Sequence, residues 1–170
     1  MRRIRLVFAV VAVMVTTISA GAAAAGAVED TDTTNAKRYP FAVGSGTDEP
    51  GEKFSFSAHE GPNGPSGYAE IEFPASESYP QGFQVQGHVT CFDVVAPNAV
   101  RFGFEIEKGS GSVPSGYNGF TFYVQDNGER NSQSPDIIGT GFSQEAPTVC
   151  PQQFGATPVT EGDIRVHTLQ

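Results

Sequence analysis

The sequence predicts an all-β protein, and three observations support that prediction. Apolar and polar residues alternate with a period of two in several short segments, which is typical of strands with one buried face. Phenylalanine, which favours strands, is abundant, with 13 Phe among 170 residues. Twenty Gly and 12 Pro are enough to separate the segments by turns. We expect a single antiparallel β-sandwich of about eight strands, with a closed β-barrel as the alternative.

Residues 1–27 have the three-part pattern of a secretory signal peptide. A basic start over 1–5 precedes an apolar run from Leu6 to Ile18 and a small-residue segment over 20–27. The apolar run is shorter than the roughly 20 residues of a transmembrane helix. We therefore predict cleavage after Ala27 and a secreted, extracellular protein with no transmembrane segment in its mature chain. The alternative is an uncleaved N-terminal anchor.

Residues 28–51 are largely polar, and we predict that they form a flexible mature N-terminus. Within this segment Tyr39, Phe41 and Val43 alternate with other residues, which indicates a short edge strand. A single β domain is predicted to follow over residues 52–170.

The strands of this domain follow from the alternation of apolar residues. Alternating segments lie at 53–59, 68–73, 83–95, 100–106, 120–124 and 137–142, and the pair Ile164 and Val166 ends the series. The alternation breaks at 92–95 within the longest strand, which predicts a bulge or a change of sheet there. The Gly-, Ser- and Pro-rich segment 108–117 and the polar segment 126–136 are predicted loops.

The acidic composition excludes some classes of partner. Ten Lys and Arg against 19 Asp and Glu give a net charge of −9 at pH 7. This charge repels nucleic acids and anionic membrane surfaces, so we expect no nucleic-acid partner. The sequence does not identify the partner, and envelope polysaccharide and an extracellular protein are the two candidates.

The chain has two cysteines, Cys91 and Cys150. An even pair in an exported protein most often forms a disulfide, which here would close a loop of roughly 60 residues. Free thiols or a pair of metal ligands are the alternatives. A zinc site normally includes a Cys-x-x-Cys spacing, which this sequence lacks.

Three segments together resemble a group of small secreted actinobacterial β-domain proteins. They lie at 54–59 together with 64–68, at 86–91 and at 120–129, and the resemblance covers about residues 53–150. It implies export, an all-β fold and a Cys91–Cys150 disulfide, and it implies no activity. The sequence departs from the group after its Asp-Asn-Gly-Glu turn, where Arg130-Asn131 stands in place of Pro-Gly.

The loop 126–136 contains the densest group of oxygen ligands. Calcium takes six to eight oxygens, several of them from carboxylates. The candidate ligands are Asp126, Asn127, Glu129, Asn131 and Asp136. The loop lacks the spacing of a helix–loop–helix calcium site, and the alternative is a hairpin in which Asn127-Gly128 supplies a positive φ. Calcium is the one cofactor that the sequence suggests.

Two glutamates and two histidines form a candidate catalytic set. Glu70 and Glu72 lie two positions apart on a predicted strand, so they share a face with a separation of roughly 7 Å. Carboxylates at such a separation can hydrolyse glycosides. His59 and His88 could approach each other and these glutamates if their strands were neighbours, and they could then bind a metal or move protons. The alternatives are a solvated strand face for the two glutamates and unrelated surface positions for the histidines.

We predict a secreted, non-enzymatic β-domain protein that acts as a binding or interaction module in the extracellular or envelope space. No residue is predicted to be catalytic. Tyrosines in or beside loops and polar faces suit sugar stacking, with ordinary rim packing as the alternative; these are Tyr68, Tyr79, Tyr117 and Tyr123. The alternative functions are a small extracellular hydrolase acting on a polymer, and a protease or lysozyme inhibitor with 108–117 as its exposed tip.

Overall fold

Nine antiparallel strands account for most of the described chain. A computed structural model describes residues 39–128, 134–152 and 155–169. The strands are β1 (Phe41–Asp48), β2 (Lys53–His59), β3 (Ser66–Phe73), β4 (Phe83–Ala96), β5 (Ala99–Glu105), β6 (Lys108–Gly111), β7 (Gly119–Gln125), β8 (Ile137–Ser143) and β9 (Thr157–His167). Within these residues no helix has the length and apolar character that a bilayer span requires. The predicted all-β class is confirmed.

The strands form two layers that share β4 and β9. The first layer runs β9–β1–β2–β3–β4, with β6 on the free side of β4, and the second runs β4–β5–β7–β8–β9. The first half of β4 pairs with β3 and β6, and its second half pairs with β5. Since β8 and β9 pair at only two positions, the arrangement is a sandwich and not a regular closed barrel.

Phenylalanine rings fill the space between the two layers. Phe56 of β2 contacts Phe102 of β5 and Phe122 of β7, with ring centroids 5.0 and 5.7 Å apart. Phe102, Phe104, Phe120 and Phe122 are fully buried. Burying one such side chain contributes about 2 kcal/mol. These rings produce the period-of-two pattern of the sequence and hold the layers together.

The first strand is central, so the predicted edge strand was wrong. β1 pairs with β2 on one side and with β9 on the other. The prediction that the flexible N-terminus extends to residue 51 was also wrong over Phe41–Asp48. The apolar pattern indicates only the start of this strand, because Gly44 takes an inward position, where an ideal Cβ would lie only 2.8 Å from Cζ of Phe56. Residues 1–38, including the predicted signal peptide, lie outside the described residues.

Other differences concern the ends of strands. The register of β4 against β5 shifts between Val89 and Cys91 and again between Val94 and Ala96, which confirms the irregularity predicted near 92–95. The predicted loop 108–117 begins with the four-residue strand β6, whose Lys-Gly-Ser-Gly sequence has no apolar alternation. β9 is longer than the two residues predicted, since 11 residues form it.

The segment between β8 and β9 lies across the outer face of the second layer. We call residues 144–152 and 155–156 the covering segment. Cys150 of this segment is joined to Cys91 of β4, with Cα atoms 5.5 Å apart, which fits the predicted disulfide. The hydroxyl of Thr90 donates a hydrogen bond to the Pro147 carbonyl at 2.7 Å. Gly103 lies below Pro147, and an ideal Cβ there would lie only 2.5 Å from its Cγ.

Replacing both cysteines by alanine is expected to lower the free energy of unfolding by about 4 kcal/mol, because the bond closes a long loop. The two positions are 59 residues apart. Urea denaturation of the oxidised wild type and of the Cys91→Ala/Cys150→Ala variant measures the difference. The reduced wild type is the control and should match the variant. An unchanged urea midpoint in the variant would show that other contacts hold the covering segment.

Candidate functional site

The outer face of the first layer brings together several predicted site residues. β3 and β4 are neighbours, and their outward residues alternate with buried ones such as Ala69, Ile71 and Val85. We call the outward set, together with the nearby Glu107, the polar face; it consists of Tyr68, Glu70, Glu72, Gln84, Gln86, His88 and Glu107. The structure therefore places the predicted glutamate pair and His88 on adjoining strands.

Side chains of the polar face contact one another. The Nδ1 atom of His88 hydrogen bonds with Oε1 of Glu107 at 2.7 Å. The amide of Gln84 donates a hydrogen bond to the carboxylate of Glu70. The rings of Tyr68 and His88 meet edge to face, with centroids 5.4 Å apart. These contacts orient the side chains while leaving them open to solvent, since the Tyr68 residue is 37% exposed.

The hydroxyl of Tyr68 lies in a negative environment. Partial desolvation and then the carboxylates of Glu107 and Glu70 raise the pKa of Tyr68. The phenol therefore stays protonated at neutral pH and remains able to donate a hydrogen bond.

A shallow groove of about 250 Å³ adjoins the polar face, between β4 and the edge strand β6. Gln86 lies opposite Lys108, and Gln84 lies opposite Ser110. These four residues and Gly109 line the groove. The groove thus combines amide, hydroxyl and ammonium groups, all of which can bind oxygen-rich ligands.

The joint histidine site is not formed as the sequence suggested. Since β3 lies between β2 and β4, the strands of His59 and His88 are not neighbours. His88 pairs instead with Glu107, which sequence reasoning did not connect to it. Glu107 lies beyond the end of β5, where its backbone N–H donates to the Gln86 carbonyl at 3.0 Å. The alternation over 100–106 predicts an outward side chain at Glu107, but it does not show which strand that side chain meets, so only the fold shows the contact.

Two predicted calcium ligands hold backbone groups of β9. Asp136, which is 9% exposed, accepts hydrogen bonds from the backbone N–H groups of Asn127 and Ile164, each at 2.9 Å. Asp126 accepts one from the backbone N–H of Val166 at 3.1 Å. The backbone N–H groups of Ile164 and Val166 therefore bond to carboxylates on the side of β9 that β8 pairs with only at Thr157 and Pro158. This structural role was not part of the sequence prediction.

The turn after β7 has features of the predicted hairpin alternative. Gly128 has a φ of 103°, and its N–H donates to Oδ1 of Asp126 at 2.8 Å. The side-chain amide of Asn127 donates to the Pro135 carbonyl at 2.7 Å. These bonds tie the two ends of the loop together.

The calcium site stays a prediction. Its candidate ligands Glu129 and Asn131 lie outside the described residues. Among residues 39–128, 134–152 and 155–169, no three His, Cys, Asp or Glu side chains are grouped so as to hold a metal ion.

A carboxylate pair at the β1–β2 turn was missed by sequence reasoning. Asp48 is 3% exposed and accepts hydrogen bonds from the Glu52 backbone N–H at 2.8 Å and from the Thr157 hydroxyl at 2.9 Å. The hydroxyl of Thr140 donates to Glu52 at 3.3 Å. Burial, followed by the neighbouring Asp48 charge, raises the pKa of Glu52 to about 7. Asp48 and Glu52 are only four residues apart, whereas Thr140 and Thr157 come from strands far away in the sequence, so the contacts with the threonines depend on the fold.

Comparison with known proteins identifies no relative of this chain. Family models, curated proteins and solved structures each give no match to the chain. The resemblance to secreted actinobacterial proteins therefore stays a prediction, and function has to be argued from the site.

Replacing Asp136 by alanine is expected to lower the free energy of unfolding by about 3 kcal/mol, because two backbone N–H groups lose a charged acceptor. Asp163→Ala is the matched control. Asp163 pairs with Arg165 at 3.1 Å on the surface, and such exposed pairs contribute less than about 1 kcal/mol. Urea denaturation of both variants gives the comparison. Equal losses in the two variants would contradict the structural role of Asp136.

Glu52 should make stability depend on pH. Its pKa is higher in the folded chain than the ordinary value of 4.5, so the unfolded chain releases this proton first as the pH rises. The contribution of Glu52 to stability is therefore complete below pH 4.5 and falls until about pH 7.

The Glu52→Gln variant removes this titration. Wild type should lose stability relative to the variant over that window, by on the order of 1 kcal/mol after solvent screening. Urea midpoints measured from pH 4 to pH 8 (roughly the range of this titration) test the expectation. Parallel pH profiles of the two proteins would contradict it.

Proposed function

We propose that this chain is a secreted, non-enzymatic binding module whose polar face binds an uncharged polysaccharide of the extracellular or envelope space. One observation supports this proposal above all: the polar face presents an exposed tyrosine, glutamine amides and carboxylates in register on one side of two paired strands. Export is part of the proposal and rests on the sequence pattern of residues 1–27.

The chemistry of the polar face suits sugars. A sugar hydroxyl both donates and accepts hydrogen bonds, and it meets suitable partners in amides, which do both, and in carboxylates, which accept. The ring of Tyr68 offers an apolar surface to the C–H groups of a sugar and a hydroxyl at its edge. Side chains two apart on a strand are separated by roughly 7 Å, and cross-strand neighbours by about 5 Å. Such a grid of polar groups suits a polymer with regularly repeated hydroxyls.

Charge favours an uncharged polymer over an anionic one. The polar face carries the carboxylates of Glu70, Glu72 and Glu107. Lys53 pairs with Glu72 at 3.6 Å, and Lys108 lines the groove. Carboxylates thus outnumber ammonium groups here, and the whole chain has a net charge of −9. An anionic polymer would be repelled over this surface.

Replacing Tyr68 by alanine is expected to weaken polysaccharide binding roughly tenfold, since one stacked aromatic contact contributes about 1 kcal/mol or more. Co-sedimentation of the oxidised chain with insoluble cellulose, chitin and purified bacterial envelope polysaccharide measures this. Tyr117→Ala is the matched control, because Tyr117 is also 37% exposed but lies in the loop after β6. The proposal would be overturned if the wild type sedimented with none of these polysaccharides, or if the two variants bound equally well.

The same experiment tests the calcium prediction when it is run with calcium and with chelator. Loss of sedimentation in chelator would support the predicted ligands of the 126–136 loop. Equal sedimentation under both conditions would count against a role for calcium in binding.

Hydrolysis of a polymer is the second candidate, because the structure brings His88 within 2.7 Å of Glu107 on the face that also carries Glu70. A histidine paired with a carboxylate can act as a general base or acid. Release of reducing ends from the same polysaccharides would favour this candidate if His88→Ala and Glu107→Gln abolished it. Under the proposed function we expect no release.

A further inference from the structure

The outer face of the second layer carries an arginine near its centre. Arg101 of β5 lies opposite Asp93 of β4 on one side and opposite Tyr123 of β7 on the other. Its guanidinium donates a hydrogen bond to the carboxylate of Asp93, and its side chain is only 20% exposed. The Tyr123 hydroxyl donates to the side chain of Gln125 at 2.8 Å, so it does not compete for that carboxylate.

A cavity of about 310 Å³ opens above this arginine. Strands β4, β5 and β7 and the covering segment surround it, and its lining residues are Val95, Arg101, Tyr123, Gln152, Gly155 and Ala156. The volume lies at the lower end of the range for small-molecule sites. The walls are mostly apolar, and the guanidinium is the one charged group that lines the cavity within the described part of the chain.

The guanidinium of Arg101 is incompletely satisfied. An arginine has five N–H donors, and Asp93 is the acceptor that the described residues provide. The Nε atom of Arg101 is buried and has no hydrogen-bond partner. By contrast, Arg165 has a side chain that is 76% exposed, and its Nε donates to Asp163 at 3.1 Å. A buried donor without an acceptor costs about 1 to 3 kcal/mol, so a carboxylate that reaches this nitrogen would recover part of this cost.

We propose that this cavity binds a carboxylate carried on a small apolar group, as at the C-terminus of a peptide. The free donors of the Arg101 guanidinium pair with the carboxylate, and Val95, Ala156 and the ring of Tyr123 contact the apolar group. A single negative charge matches the cavity better than a phosphate, because Asp93 already offsets part of the arginine charge. This proposal concerns the second layer and does not rest on the proposed function of the polar face.

The test is a calorimetric or NMR titration of the oxidised chain with N-acetyl-alanyl-alanine and with its C-terminal amide. The amide keeps the apolar groups and lacks the carboxylate. We expect saturable binding of the acid, at least about tenfold tighter than binding of the amide, since a charged hydrogen bond contributes about 1.5 kcal/mol or more. The acid–amide comparison needs only the wild-type protein, so it does not depend on the folding of any variant.

Arg101→Gln is expected to reduce binding of the acid to the level of the amide. Arg165→Gln is the matched control, because Arg165 also pairs with an aspartate on a strand, and it should bind like the wild type. The proposal is overturned if the wild type binds acid and amide equally or binds neither. It is also overturned if Arg101→Gln, when folded, keeps the affinity for the acid. Displacement of the acid by an equal concentration of inorganic phosphate would show a general anion site and would overturn the assignment to a carboxylate.

Discussion

The sandwich depends on how the backbone N–H groups of β9 find hydrogen-bond acceptors where the two layers separate. β9 pairs with β8 at only two positions and then continues along β1. The backbone N–H groups of Ile164 and Val166 would lack a partner beyond that point, but the carboxylates of Asp136 and Asp126 accept them. Side chains thus replace a missing stretch of strand. This substitution lets the layers diverge around the phenylalanine core without leaving these two backbone N–H groups unpaired.

The shared strand β4 links the two candidate sites. Its first half presents Gln84, Gln86 and His88 on the outer face of the first layer, and its second half presents Asp93 on the outer face of the second. The side chains of the shared core therefore pack beneath both outer faces. The surfaces lie on opposite sides of the sandwich, so a polymer bound to one of them would leave the other accessible. Residues of one surface can also be substituted without changing a direct contact of the other.

The sequence was most informative where one face of a strand is buried. Alternation predicted β2, β3, β5 and β7, because their inward apolar residues, such as Phe56, Ile71 and Phe122, recur at every second position. For β1 it indicated only a short edge strand and missed the strand's length and central place, because Gly44 occupies an inward position. It failed for β6, which has no apolar residue. The contacts of His88 with Glu107 and of Arg101 with Asp93 depend on strand order and register. Composition and spacing carry no information about either, so these parts of the sites could only be found in the folded chain.

The disulfide has a consequence for the cavity beside Arg101. Cys150 belongs to the covering segment that forms one wall, and its bond to Cys91 fixes that wall to β4. If the cavity binds the proposed ligand, oxidation of the cysteines and occupation of the cavity would be thermodynamically linked. A ligand that fits the closed cavity would make the disulfide harder to reduce, and a reducing environment would release the ligand by loosening the wall. The redox potential of the surroundings would then set the affinity of the site.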